Sequence, residues 1–225
     1  MEKLIELDNL GIIFYENKFY TISGSNNSGK TTLIRILKNK YNFVQGVIPF
    51  ELRISNDNLM DELIYQKVDK ELIDYILKEL KIKSISKELI SKLSKREIIL
   101  VQIALALSKK PKVLLLDNIS NYLNDEEFKR IIKFLRKYQN KYNLTVVNTT
   151  IHLEESLLTD YLYILYNGEV VLEGDTLEVL QNDNILNKMG LDVPFMVDLS
   201  VKLRDYDLIS NIELDQDRMV DILWK

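Results

Sequence analysis

The sequence contains no cysteine and a single histidine, His152. That excludes a disulfide framework, a thiolate nucleophile and the cysteine–histidine clusters that hold structural zinc. Surplus positive charge is missing as well: 30 basic residues face 34 acidic ones, a formal net charge of −4. There is no bulk attraction to nucleic acid, and no nucleic-acid partner is expected. No apolar run approaches the roughly 18 residues of a membrane span. The opening MEKLIELDNL carries acids where a secretory signal needs bases and apolar length. The expectation is an intracellular chain that does not itself cross a membrane. Linkers, repeats and low-complexity segments are also lacking, and glycine occurs only seven times. What is there, 46% apolar and 28% charged residues over 225 positions, suits one soluble core with a small appendage.

Periodicity along the chain predicts alternating strands and helices. FYTIS (19–23) reads as a strand entering a glycine-bounded loop, and TTLIRILKNKY follows with helical apolar spacing. Leu59, Leu63, Leu72, Ile76 and Leu80 recur at helical intervals across a mostly helical stretch, 59–92. REIILVQIALALSK is apolar nearly all round, a buried helix ended by Pro111, and KVLLLD follows as a strand. EEFKRIIKFLRKYQNKY is amphipathic, and LTVVNTT after it is a short β-branched strand, the pattern of a parallel α/β sheet. YLYILYNGEVVLEGD reads as two strands around the hairpin signal Asn167-Gly168.

Gly24-Ser25-Asn26-Asn27-Ser28-Gly29-Lys30-Thr31 fits G-x-x-x-x-G-K-[ST] at every fixed position and lies between a predicted strand and helix. Glycines let the backbone wrap phosphates with its N–H groups inward, and the helix N-terminus adds positive potential. Lys30 then reaches the outer phosphates, Thr31 ligates Mg2+, and Thr32 completes the loop-proximal set. An accidental match in a chain this long is on the order of one in a hundred. Val113-Leu114-Leu115-Leu116-Asp117 adds an apolar strand ending in a carboxylate, the arrangement that orders the water shell of magnesium beside such a loop.

With these segments placed, the chain resembles the ATP-binding subunit of an ABC transporter over nearly its whole length. Leu93-Ser94 before a buried helix resembles the start of the signature motif, and Asn121-Tyr122-Leu123-Asn124 sits where the D-loop falls. The terminal hairpin and following helix resemble the end of an ABC ATPase core. MGLDVPFMVDLSVKLRDYDL and ELDQDRMVDILW resemble the C-terminal extension of the A components of energy-coupling-factor transporters. The resemblance implies an α/β P-loop NTPase core with a parallel sheet, a shortened antiparallel β-subdomain, a helical subdomain near 52–95, a domain boundary after 182 and a helical extension over 183–225. It implies ATP and Mg2+ as cofactors. The partners it implies are a second ATPase subunit and integral-membrane T and S components, placing the chain on the cytoplasmic face of the cell membrane. The implied function is uptake of a small molecule such as a vitamin or metal ion.

Departures from the family pattern fall at the catalytic positions. Asn118 stands where the family carries the Glu that polarises the attacking water; an amide cannot accept that proton. The signature glycines fall on Lys95 and Arg96, and Ser94-x-x-Glu97 reads as a helix capping box in preference to a γ-phosphate contact. Glu51 occupies the Q-loop position. The switch histidine falls on Ile151, with His152 one place later; a one-residue shift or an unrelated surface histidine would each account for it. The adenine-stacking aromatic has no clear counterpart. Because ABC sites are composite, a homodimer would carry these defects in both sites, so a heterodimer with a more complete paralogue is expected. The alternative is a regulatory or structural nucleotide-binding subunit with little hydrolysis of its own.

Overall fold

A computed structural model describes residues 2–224. In chain order the first elements are β1 (Lys3–Leu7), β2 (Ile12–Tyr15), β3 (Phe19–Ser23), α1 (Lys30–Lys40) and β4 (Val44–Val47). Then come α2 (Leu59–Tyr65), α3 (Lys70–Glu79), α4 (Lys95–Ser108), β5 (Val113–Asp117), α5 (Asp125–Tyr142) and β6 (Thr145–Thr150). The remainder is β7 (Tyr161–Tyr166), β8 (Glu169–Asp175), α6 (Thr176–Leu180), α7 (Asp183–Lys188), α8 (Phe195–Asp205) and α9 (Gln216–Leu223). The class is α/β with mostly parallel strands, and the chain forms two compact units.

The first unit takes in residues up to 19 and residues 30–149. Its parallel ladder runs β4-β5-β6, with Val44 opposite Val113 and Asp117 opposite Thr149. β5 is buried at every residue, as a parallel strand covered on both faces must be, which is why its sequence is a continuous apolar run. α4 buries ten consecutive positions, Ile99 to Ser108. The capping box starts it: Ser94 Oγ accepts from Glu97 N at 3.3 Å, and Ser94 N donates to Glu97 Oε2 at 2.8 Å. α5 opens on an Asn124 cap with three acids in its first turn and closes on Asn143 in the left-handed region. The helical stretch read from 59 onward is two helices, α2 and α3, broken at 66–69 where Lys67 turns to φ 54°, and no α-helix follows Glu79 until α4. Leu80 caps α3, Lys81 turns to φ 57°, and two 3-10 turns replace further α-helix before Ser94. β1 and β2 form a two-stranded antiparallel hairpin.

The second unit takes in residues 20–29 and those from 150 on. β3 pairs in parallel with β7, and β7 in antiparallel with β8. The β7–β8 turn places Asn167 at φ 50° and Gly168 at φ 85°, the two positive values that the Asn-Gly pair tolerates. Leu162 and Ile164 of β7 share one core with Leu180, Leu186 and Val197, so α7 and α8 are packed onto the strands by apolar burial. No helix among the described residues is long and apolar enough to cross a membrane.

Candidate functional site

The loop Gly24–Gly29 leaves β3 and runs straight into α1 at Lys30. Gly24 has φ 151°, and a Cβ there would collide with the Leu165 carbonyl oxygen and sit 2.7 Å from Ser28 Oγ. Gly29 has φ 104°, and Asn27 is left-handed at φ 64°. The glycines are required by geometry, since side chains rarely adopt these angles and at Gly24 there is no room. Ser28 N donates to Ser25 O at 3.2 Å, and Ser28 O accepts from Gly168 N at 3.1 Å, so the β7–β8 turn pins the loop. Asn26 and Asn27 are exposed, Ser25 partly so.

Lys30 opens α1 and is buried. Burial lowers its pKa from the ordinary lysine value, while the negative charge of Asp117 opposes that shift. Thr31 Oγ1 donates to Asp117 Oδ1 at 3.3 Å, so the motif threonine and the strand-end carboxylate meet, 86 positions apart in sequence. Thr32, by contrast, is exposed.

Two further groups reach the same oxygen. Thr149 Oγ1, at the end of β6, donates to Asp117 Oδ1 at 2.7 Å, and Asn118 Nδ2 donates to it at 3.1 Å. Asn118 is left-handed, φ 47° and ψ 39°, a conformation its amide side chain tolerates better than most. Its backbone N–H lies 3.1 Å from Thr149 O and 3.2 Å from Thr149 Oγ1. Sequence reading missed Thr149. The only signal for it was a hydroxyl residue in the closing NTT of a buried strand beside the strand that ends at Asp117.

The other residues that the sequence reading singled out make contacts of their own. Ser94 is the α4 cap. Glu51 gives its two carboxylate oxygens to Arg35 and Lys38 of α1, at 3.0 and 3.4 Å. Lys95 Nζ stands 5.4 Å from the centroid of the Phe50 ring, which meets Tyr122 edge-on at 5.7 Å. Phe50 is 71% exposed at φ 66°. Together with Leu52, Ile54, Ile90 and Ile98 it lines a groove of about 470 Å³ that has Arg53 and Lys95 among its walls and no acid. His152 is exposed at the start of a 3-10 turn, its backbone N–H donating to Thr150 Oγ1 at 3.0 Å.

Chemically, Lys30, a buried cation in the first turn of α1, suits an anion. One hydroxyl and one carboxylate side by side suit a hard cation that takes few protein oxygens and completes its shell with water and phosphate. Among the described residues no group of three or more acids or histidines would cage a metal unaided.

A family model described as ABC transporter matches residues 7–121, just over half of the chain. The energy-coupling factor transporter ATP-binding protein EcfA1 of Mycoplasma mobile is 25% identical over 97% of this chain and 90% of its own length. EcfA of Pediococcus pentosaceus, an energy-coupling factor transporter ATP-binding protein, is 24% identical over 94% and 87%. Among solved structures, cbiO1 from Clostridium perfringens, part of the ABC transporter complex cbiONQ, superposes with a TM-score of 0.65 at 20% identity, covering 84% of this chain and 90% of that one. A nucleotide-free ATP-binding cassette from an ABC transporter gives 0.64 at 19% identity, covering 80% and 89%. These structural matches speak to the fold.

Proposed function

The chain belongs to the ABC transporter family of ATP-binding proteins, and on that premise we propose that it is the ATP-binding subunit of an energy-coupling-factor importer. The observation that supports this most directly is the match to energy-coupling factor ATP-binding proteins along almost the entire chain, including the helices after α6. In this reading the loop amides and Lys30 hold the phosphates of ATP, and Thr31 and Asp117 hold Mg2+. Held there, Mg2+ would supply charge neutralisation to the nucleotide. Binding, orientation and exclusion of water fall to the chain itself. Deprotonation of the attacking water does not, because Asn118 offers an amide whose nitrogen already donates to Asp117.

Hydrolysis is therefore assigned to a pair. A second ATPase subunit with its own glutamate supplies the base, and the two close over nucleotide beneath integral-membrane components on the cytoplasmic face. The Phe50 groove is the surface we assign to the membrane component. Its apolar floor and its two cations, with no acid, fit an apolar cytoplasmic segment carrying a carboxylate. The cargo is a small molecule such as a vitamin or metal ion, selected by a different polypeptide. The test is affinity purification of the tagged chain from membranes in mild detergent. Recovery of a second ATPase and polytopic membrane proteins is expected; recovery of the chain free of any membrane protein would overturn the assignment.

A further inference from the structure

Asp117 Oδ1 accepts from three donors, Thr149 Oγ1 at 2.7 Å, Asn118 Nδ2 at 3.1 Å and Thr31 Oγ1 at 3.3 Å, and none of these bonds falls on Oδ2. We propose that Thr149 and Asn118 are positioning residues for the magnesium site, fixing the Asp117 carboxylate so that Thr31 can turn to the cation without the carboxylate following. This rests on the nucleotide-site reading above and adds to it a role for Thr149 and Asn118 that acts through Asp117.

The distances order the three bonds. Thr31 makes the longest and is the one whose hydroxyl has another task, metal ligation. Releasing it leaves Asp117 with two donors still in place. Thr149 is fully buried, and its hydroxyl does two jobs at once. It donates to the carboxylate and accepts from Asn118 N at 3.2 Å, which supports the left-handed turn that brings the Asn118 amide back onto Asp117. Thr149, Asp117 and Asn118 thus form a closed ring of hydrogen bonds at the ends of β5 and β6. A carboxylate at 118 could not join it, since it has no proton to donate at neutral pH and would place a second negative charge beside the first. The amide at 118, which cannot act as a base, instead supplies a donor to Asp117.

The test is the ratio of ATP affinities with Mg2+ and with EDTA, measured by calorimetry on the full chain. Groups that orient a metal-binding residue typically change metal affinity tenfold or more when removed. Thr149→Val should lower the magnesium-to-EDTA ratio about tenfold, Asn118→Ala should lower it in the same direction, and Thr149→Ser should restore it. An unchanged ratio in Thr149→Val, an equal loss in both arms, or a Thr149→Ser variant as impaired as the valine would each overturn the inference. A wild-type chain that binds ATP in neither arm would instead remove the nucleotide-site reading, and this inference with it.

Discussion

Arg96 closes on Glu127: its Nε and Nη2 each reach one carboxylate oxygen, joining the first turn of α4 to the first turn of α5. Glu127 is 6% exposed and takes Arg130 as well, at 3.1 Å, while Arg96 is half exposed. Arg96, which the resemblance sets at a signature position, is engaged within its own chain. The two-pronged geometry makes this one of the stronger kinds of ion pair, tempered by the exposure of the arginine. Arg96→Ala should lower stability by about 1 kcal/mol, and Glu127→Ala by about 2 kcal/mol because two guanidinium groups lose their acceptor. Urea unfolding of both single variants and the double variant checks this, with a coupling of about 1 kcal/mol expected.

Gly24→Ala tests whether the loop geometry is obligatory. The added methyl meets the Leu165 carbonyl at a φ that alanine rarely adopts, so the loop must move. ATP affinity should fall at least about tenfold, read by calorimetry, with the fold monitored by circular dichroism.

The pKa of Lys30 fixes the sign of a pH dependence. Burial holds it below the ordinary lysine value of about 10.4, against the pull of Asp117. A bound phosphate raises it, so at alkaline pH binding takes up a proton. Affinity is therefore full below the pKa of the free chain, falls as pH rises through it, and levels off above that of the complex. Titrations between about pH 7 and about pH 10 should show this slope, and Lys30→Met should abolish it.

How much of this was legible beforehand follows from how local each feature is. The Gly24–Gly29 loop and the β7–β8 turn are written in glycines and asparagines, which tolerate the positive φ values found there, and the capping box lies within four consecutive positions. The apolar run of β5 and the all-round apolar α4 announce burial directly. Arg96–Glu127 and Thr149–Asp117 join residues 31 and 32 positions apart through side-chain geometry, which no periodicity encodes. Val44–Val47 was missed as a strand because four residues with a central glycine carry no alternation. Glu51 was placed by resemblance alone, and its pairing with Arg35 and Lys38 depends on how the chain returns to α1.

Glu62 gives a second pH dependence of opposite origin. Burial would raise its pKa, but the amides of Ser55 and Asn56 and the side chains of Asn56 and Gln66 all donate to it, and the net shift is downward. The folded pKa lies below the unfolded value of about 4.3, so Glu62 contributes stability above that value and loses it as pH falls through the folded pKa. Glu62→Gln should cost about 2 kcal/mol near pH 7 and progressively less as the pH is lowered below about 4, by urea midpoints.

Phe50→Gly should move two readouts in opposite directions. Glycine accepts φ 66° freely, so relief of strain should raise stability by up to about 1 kcal/mol. Removing the exposed ring should reduce recovery of membrane partners in the same preparation.

The central claim is that this chain binds Mg-ATP while turnover belongs to the pair, and the most direct measurement is ATP hydrolysis by the purified chain alone against the complex with its partner subunits. The account predicts nucleotide binding with turnover well over tenfold lower in the isolated chain. Turnover by the isolated chain within about tenfold of the complex would contradict it.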